Sequence, residues 1–73
     1  MPKLPRVTAR KLVAALLREG FVRDRQRGSH LVLRHPNGRR TIIPIHATEL
    51  PAGTLRGILH DIDMGPEELR KLL

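Results

Sequence analysis

Pro36-Asn37-Gly38 sits between two runs of alternating apolar character, residues 29–35 and 40–45. Asn and Gly accept the positive φ angles of a tight turn, so the tripeptide predicts a β-hairpin. A third run, from Phe21 to about Arg25, ends at a turn expected around Arg27-Gly28 and predicts another antiparallel strand. Pro44 ends or edges the last strand, because it cannot donate to a ladder. Three strands with one apolar face are not stable alone; something must cover that face.

The flanking segments supply the cover. Thr8 reads as a helix N-cap, and Leu12, Val13, Leu16 and Leu17 follow at helical spacing. Val7 is placed to staple onto Leu12. Gly20 stands where a left-handed C-terminal residue is needed, which lets Phe21 fold back onto Leu16. After a connection over residues 47–51, a second helix is expected from Thr54 to about Asp61, with Leu55, Ile58, Leu59 and Ile62 facing inward. Gly65-Pro66 stops it and starts a last turn at Glu67-Glu68-Leu69. The order predicts an α+β fold, α-β-β-β-α, with a three-stranded antiparallel sheet covered on one face by two helices. Double-stranded-RNA-binding domains use that arrangement.

The 73 residues read as a single domain over residues 1–73. A core and a deep pocket do not both fit in that length, so a site must be shallow. With no cysteine, the chain has no disulfide, no thiol nucleophile and no thiolate-bound zinc. The first six residues lack the apolar stretch of a secretion signal, and no run approaches membrane-spanning length. A cytoplasmic protein is the expectation.

Charge narrows the function. Residues 1–46 carry 11 basic and 2 acidic side chains, net +9, whereas residues 47–73 carry 3 basic and 5 acidic, net −2. Solubility alone does not need that asymmetry, and Arg outnumbers Lys 11 to 3, which favours bidentate contact with phosphate. The basic residues do not line one face of an amphipathic helix, which argues against a membrane surface. With no Trp or Tyr, and Phe21 placed for the core, base stacking on exposed aromatics is not expected. Contacts to the nucleic-acid backbone should dominate.

One side chain stands out for chemistry. In Gly28-Ser29-His30-Leu31-Val32-Leu33, alternation puts Leu31 and Leu33 on one face and His30 and Val32 on the other. With the leucines packed under the helices, His30 points away from the core. Gly28 leaves room for a phosphate or sugar, and Arg25, Arg27 and Arg34 are close in sequence. Imidazole is a natural proton carrier for phosphodiester cleavage near neutral pH. RNA supplies its own nucleophile, the ribose 2′-hydroxyl, so one His with cationic support for the pentavalent transition state is a workable minimal catalyst. His35 and His60 read as solvated surface residues. No two of the four His are two to four apart, no Cys is present and carboxylates are scarce near the strands, so no metal site or cofactor is expected.

Taken together and in order, Leu16-Leu17-Arg18-Glu19-Gly20-Phe21, Gly28-Ser29-His30, Ile43-Pro44-Ile45-His46 and the stretch Glu49-Leu50-Pro51-Ala52-Gly53-Thr54-Leu55-Arg56-Gly57-Ile58-Leu59 resemble the HicA mRNA-interferase toxins. The similarity spans about residues 8–64. The resemblance implies a double-stranded-RNA-binding-like fold, ribosome-independent cleavage of mRNA, His30 as the catalytic histidine and a HicB-type antitoxin as partner. The competing expectation is a non-catalytic double-stranded-RNA-binding module of the same fold. Such modules grip RNA from a late helix, but here the late segment is net acidic. A DNA-bound repressor subunit would need a polar, basic recognition helix, which the chain lacks.

Overall fold

A computed structural model describes residues 3–46 and 48–73, and places α1 at Ala9–Arg18, β1 at Val22–Arg27, β2 at His30–Arg34, β3 at Arg40–Pro44, α2 at Ala52–Asp61 and α3 at Pro66–Leu72. The strands form one antiparallel sheet in the order β1-β2-β3. Leu31, Leu33 and Ile43 face the helices and join Leu12, Leu16, Phe21, Leu55, Ile58, Leu59, Ile62 and Leu69 in the core. Among the described residues, the opposite face carries no helix. This is the double-stranded-RNA-binding-like architecture expected from the element order.

The helix α1 starts and stops where local chemistry requires. Thr8 is extended, and its hydroxyl accepts a hydrogen bond from the Lys11 N–H (3.1 Å), satisfying one of the free donors of the first turn. At the other end Gly20 adopts φ 99°, the Phe21 N–H donates to the Leu16 carbonyl (3.0 Å), and the Gly20 N–H to Leu17 (3.1 Å). That is a Schellman closure. It drops Phe21 into the core at 2 % exposure. A Cβ on Gly20 would lie 3.0 Å from His35 Nε2, which is itself held 3.2 Å from the Glu19 carbonyl oxygen. We expect Gly20→Ala to cost about 1–3 kcal/mol of stability, from backbone strain and this contact together. Gly28→Ala, where φ is 53° and the space is open, should cost less. Urea unfolding of the two variants checks the order; equal costs would contradict it.

Both hairpins differ in detail from the sequence-based expectation. In the β2–β3 loop only Gly38 has positive φ (99°); Asn37 does not. The Gly38 N–H donates to the His35 carbonyl (2.9 Å) and the His35 N–H to Arg39 (2.8 Å), a three-residue loop with the glycine as a bulge. The Asn37 side chain instead accepts from the Arg39 N–H (3.1 Å). The first hairpin turns at Gly28-Ser29, one residue later than expected, so β1 extends to Arg27. Gly28 at positive φ followed by Ser29 at negative φ is the pattern of a type II′ turn, whose twist matches that of the strands.

The late helices also depart from expectation. The second helix, α2, begins at Ala52, not Thr54, with Pro51 at the N-cap position and no side-chain cap, so Thr54 lies inside the first turn. The expected last turn is a seven-residue helix, α3, with Pro66 in its first turn and the Gly65 N–H donating to Glu68 Oε1 (3.3 Å). Burial of Leu69 (0 % exposed) and a hydrogen bond from Arg18 to the Leu72 carbonyl (2.6 Å) fix α3 against the rest of the fold. Ala47, in the connection after β3, lies outside the described residues, as do Met1 and Pro2.

Candidate functional site

Cross-strand pairing arranges the helix-free face in three rows. Arg27, His30 and Pro44 form the first; Arg25, Val32 and Ile42 the second; Val22, Arg34 and Arg40 the third. His30 opens β2 directly after the Gly28-Ser29 turn and is exposed, as alternation with buried Leu31 and Leu33 requires. The Ile45 N–H donates to the Ser29 carbonyl (2.7 Å), which anchors the turn to the chain leaving β3. Gln26 Nε2 donates to the Gly28 carbonyl (3.0 Å). The turn presenting His30 is thus held from both sides.

A bulge between Arg23 and Arg25 decides which β1 side chains share this face. Without it, Asp24 would pair with Leu33 and face the helices. The extra residue takes Asp24 out of the ladder and sends Arg23 to the helix side. Arg25 and Arg27 remain on the helix-free side. Val22 joins them there, 47 % exposed.

Arg25, Arg27, His30, Val32, Arg40 and Ile42 together line one shallow groove. The structure therefore brings Arg25 and Arg27 beside His30 as expected, and adds Arg40. The signal for Arg40 was the β2–β3 register, which pairs it with Arg34. Arg34 shares the face but stands in the third row, where its guanidinium lies 4.0 Å from the Asp24 carboxylate. Among the described residues no carboxylate pairs with Arg25, Arg27 or Arg40. Val32, expected to point outward with His30, does so, yet it is only 6 % exposed between its cross-strand neighbours Arg25 and Ile42. Nothing lies within 4 Å of where a Gly28 Cβ would project, so the turn conformation accounts for that glycine.

The other histidines are elsewhere. His35, expected as a solvated surface residue, is half-buried; its ring stands edge-on to Phe21 (centroids 5.0 Å apart), and its Nδ1 accepts from the Asn37 N–H (3.1 Å). It ties the β2–β3 loop to the end of α1. His46 is exposed beside Thr8, Arg10, Ile45 and Thr48, outside the groove, and His60 is exposed on α2. No group of three metal-ligating side chains gathers among the described residues. Several arginines serve the fold: Arg39 lies 5.0 Å over the Phe21 ring and donates to the Ile62 carbonyl (2.8 Å), and Arg70 donates to the Lys3 carbonyl.

These features define a small α+β domain of the double-stranded-RNA-binding-like class whose bare sheet face is cationic around one exposed histidine. The chain belongs to the HicA toxin family: residues 9–64, more than three quarters of its length, match the family described as HicA toxin of bacterial toxin-antitoxin. It is accordingly the toxin half of a toxin–antitoxin pair. A search of curated proteins returns no match. No helix among the described residues is long and apolar enough to cross a membrane.

Proposed function

We propose that the protein is an mRNA interferase, an endoribonuclease that cuts RNA without the ribosome and without a metal, acting in the cytoplasm, with His30 as its catalytic side chain. The observation that supports this most is the placement of His30 in a groove with Arg25, Arg27 and Arg40, none of which has a carboxylate partner among the described residues. Family membership supports it independently.

The chemistry needs little depth. His30 takes the proton from a ribose 2′-hydroxyl; the 2′-oxygen attacks the adjacent phosphorus and the bond to the 5′-oxygen breaks. The products are a 2′,3′-cyclic phosphate and a 5′-hydroxyl, the leaving oxygen taking its proton from water or from the imidazolium. Charge builds on the non-bridging oxygens in the pentavalent state, and Arg27, paired across the ladder with His30, is the nearest cation by register. Arg25 and Arg34 contact flanking phosphates, while Gly28 and Ser29 shape the turn that the substrate meets.

The deciding experiment is incubation of the purified protein with a long RNA in chelator and without ribosomes. Cleavage to fragments with cyclic-phosphate ends is expected. RNA bound but left intact would favour the non-catalytic double-stranded-RNA-binding module, and activity restored only by a divalent ion would overturn the metal-free route. The arginines make a second prediction. Arg25→Ala and Arg27→Ala should each weaken RNA affinity with little dependence on sequence, and each should lower the slope of log affinity against log salt by about 0.7 to 1. Slopes unchanged in both variants would return these side chains to ordinary surface.

A further inference from the structure

We propose that the helix-free sheet face is a one-sided phosphate track, in which Arg27 and His30 hold the scissile linkage and Arg25 with Arg40 hold the next phosphate along β2. The assignment of the scissile end rests on the reading of His30 as catalytic; the track itself rests on the geometry of the face.

Three observations carry it. First, the rows follow the pleat: side chains on one face recur every second residue, about 6.6 Å apart along a strand. That repeat is comparable to the spacing of neighbouring phosphates in an extended RNA strand. Each row contributes at least one arginine: Arg27 in the first, Arg25 in the second, Arg34 and Arg40 in the third. Second, Arg40 belongs to the third row by register, yet its side chain lines the same groove as His30, Arg25 and Arg27. It therefore borders the groove next to the second row, where Val32 and Ile42 line it too. Third, the face is asymmetric about His30. On one side stand Arg25, Arg40 and Arg34; on the other the chain turns at Gly28-Ser29, which carries no charge. Arg34, beside Asp24 at 4.0 Å, closes the far end with its charge partly offset.

The apolar pair Val32 and Ile42 between the arginines gives the sugar-phosphate chain a surface that offers no competing hydrogen bonds. Arg40 is thus a substrate-binding residue acting one nucleotide away from the bond that breaks. The consequence is a preference in which one neighbouring phosphate, on one side only, matters to cleavage.

The test uses a short 2′-O-methyl oligonucleotide with a single central ribonucleotide, so that only one linkage has a free 2′-hydroxyl beside it. Each flanking phosphate is replaced in turn by a neutral methylphosphonate. Neutralising the linkage on one side should lower kcat/KM about three- to tenfold, and on the other side should leave it unchanged. Arg40→Ala should lose part of that factor with the native oligonucleotide and should respond less to the neutralised linkage, because Arg25 still holds the same phosphate. Equal losses on both sides, no loss on either, or an Arg40→Ala variant that still responds in full would overturn the track. Should the unmodified oligonucleotide not be cut at all, the catalytic reading fails separately. Affinities of fully 2′-O-methyl oligonucleotides of two to five nucleotides then judge the track alone. A gain on adding the third nucleotide that Arg40→Ala reduces supports it, and a gain that Arg40→Ala leaves undiminished refutes it.

Discussion

His30→Ala is expected to lower RNA cleavage roughly 100- to 10,000-fold, the range over which a positioned general acid or base contributes. The fold should not notice. His30 is exposed at the first position of β2, on the face without helices, and outside the core cluster. Its backbone pairs with Arg27 and Pro44, and that pairing does not depend on the side chain. Surface substitutions of this kind change stability by no more than about 0.5 kcal/mol. The circular dichroism spectrum and urea midpoint of the variant should therefore overlay those of the wild type while its nuclease activity disappears. RNA affinity should fall far less than activity, since Arg25, Arg27 and Arg40 remain. A variant that cuts at the wild-type rate would remove His30 from the mechanism. Loss of activity together with a lowered midpoint would instead make it a residue of the fold. Substitution of His35 is the useful contrast. That ring packs on Phe21 and bridges to the Glu19 carbonyl, so its loss should register in stability.

The contrast between these two histidines shows where sequence reading succeeds here. Alternation along residues 30–33 places His30 correctly, because a strand has only two faces and Leu31 and Leu33 claim one of them. The Thr8 cap, the Gly20 terminator and the Phe21 anchor are equally local: each is settled by hydrogen bonds within a few residues. His35 is different. Its partners Glu19 and Phe21 are far along the chain, and nothing in its own neighbourhood points to them.

The same distinction governs the arginines. Net charge put the cationic character in the first 46 residues, but a count cannot tell a ligand-facing guanidinium from one that serves the fold. Arg39 and Arg18 donate to carbonyls of Ile62 and Leu72, contacts that only the packed helices create. Arg40, adjacent in sequence to Arg39, lines the groove instead. The bulge at Asp24 was also illegible, because it reflects a choice between two ladders that differ in where one carboxylate goes. The longer α3 follows from burial of Leu69, a tertiary gain added to a modest local signal.

The antitoxin should inhibit by covering His30 directly, and inhibition should be complete at one antitoxin per toxin. The toxin family fixes that a partner exists; the HicB type and the mode of inhibition are our proposal. The groove is shallow and stands on the rigid ladder of β1, β2 and β3, with its floor at Val32 and the core directly beneath. A fold with one small core has few means of relaying a distant binding event into that ladder. Steric cover is the simpler device. Its chemistry is set by the same residues that meet RNA: three arginines without carboxylate partners call for acidic side chains, and Ile42 and Val22, 46 % and 47 % exposed, call for apolar ones. Charge complementarity would speed encounter and discriminate against wrong partners, and burial of the apolar pair would slow release. Three measurements bear on this. Chemical modification of His30 should be blocked in the complex and restored on dissociation. Charge reversal at Arg40 or Arg27 should weaken antitoxin binding along with RNA binding. The neighbouring gene should encode a HicB-like protein, and its co-expression should rescue growth from the wild-type toxin. A complex that keeps RNA bound with His30 still open to modification would sink direct cover and require an inhibitory site elsewhere on the domain.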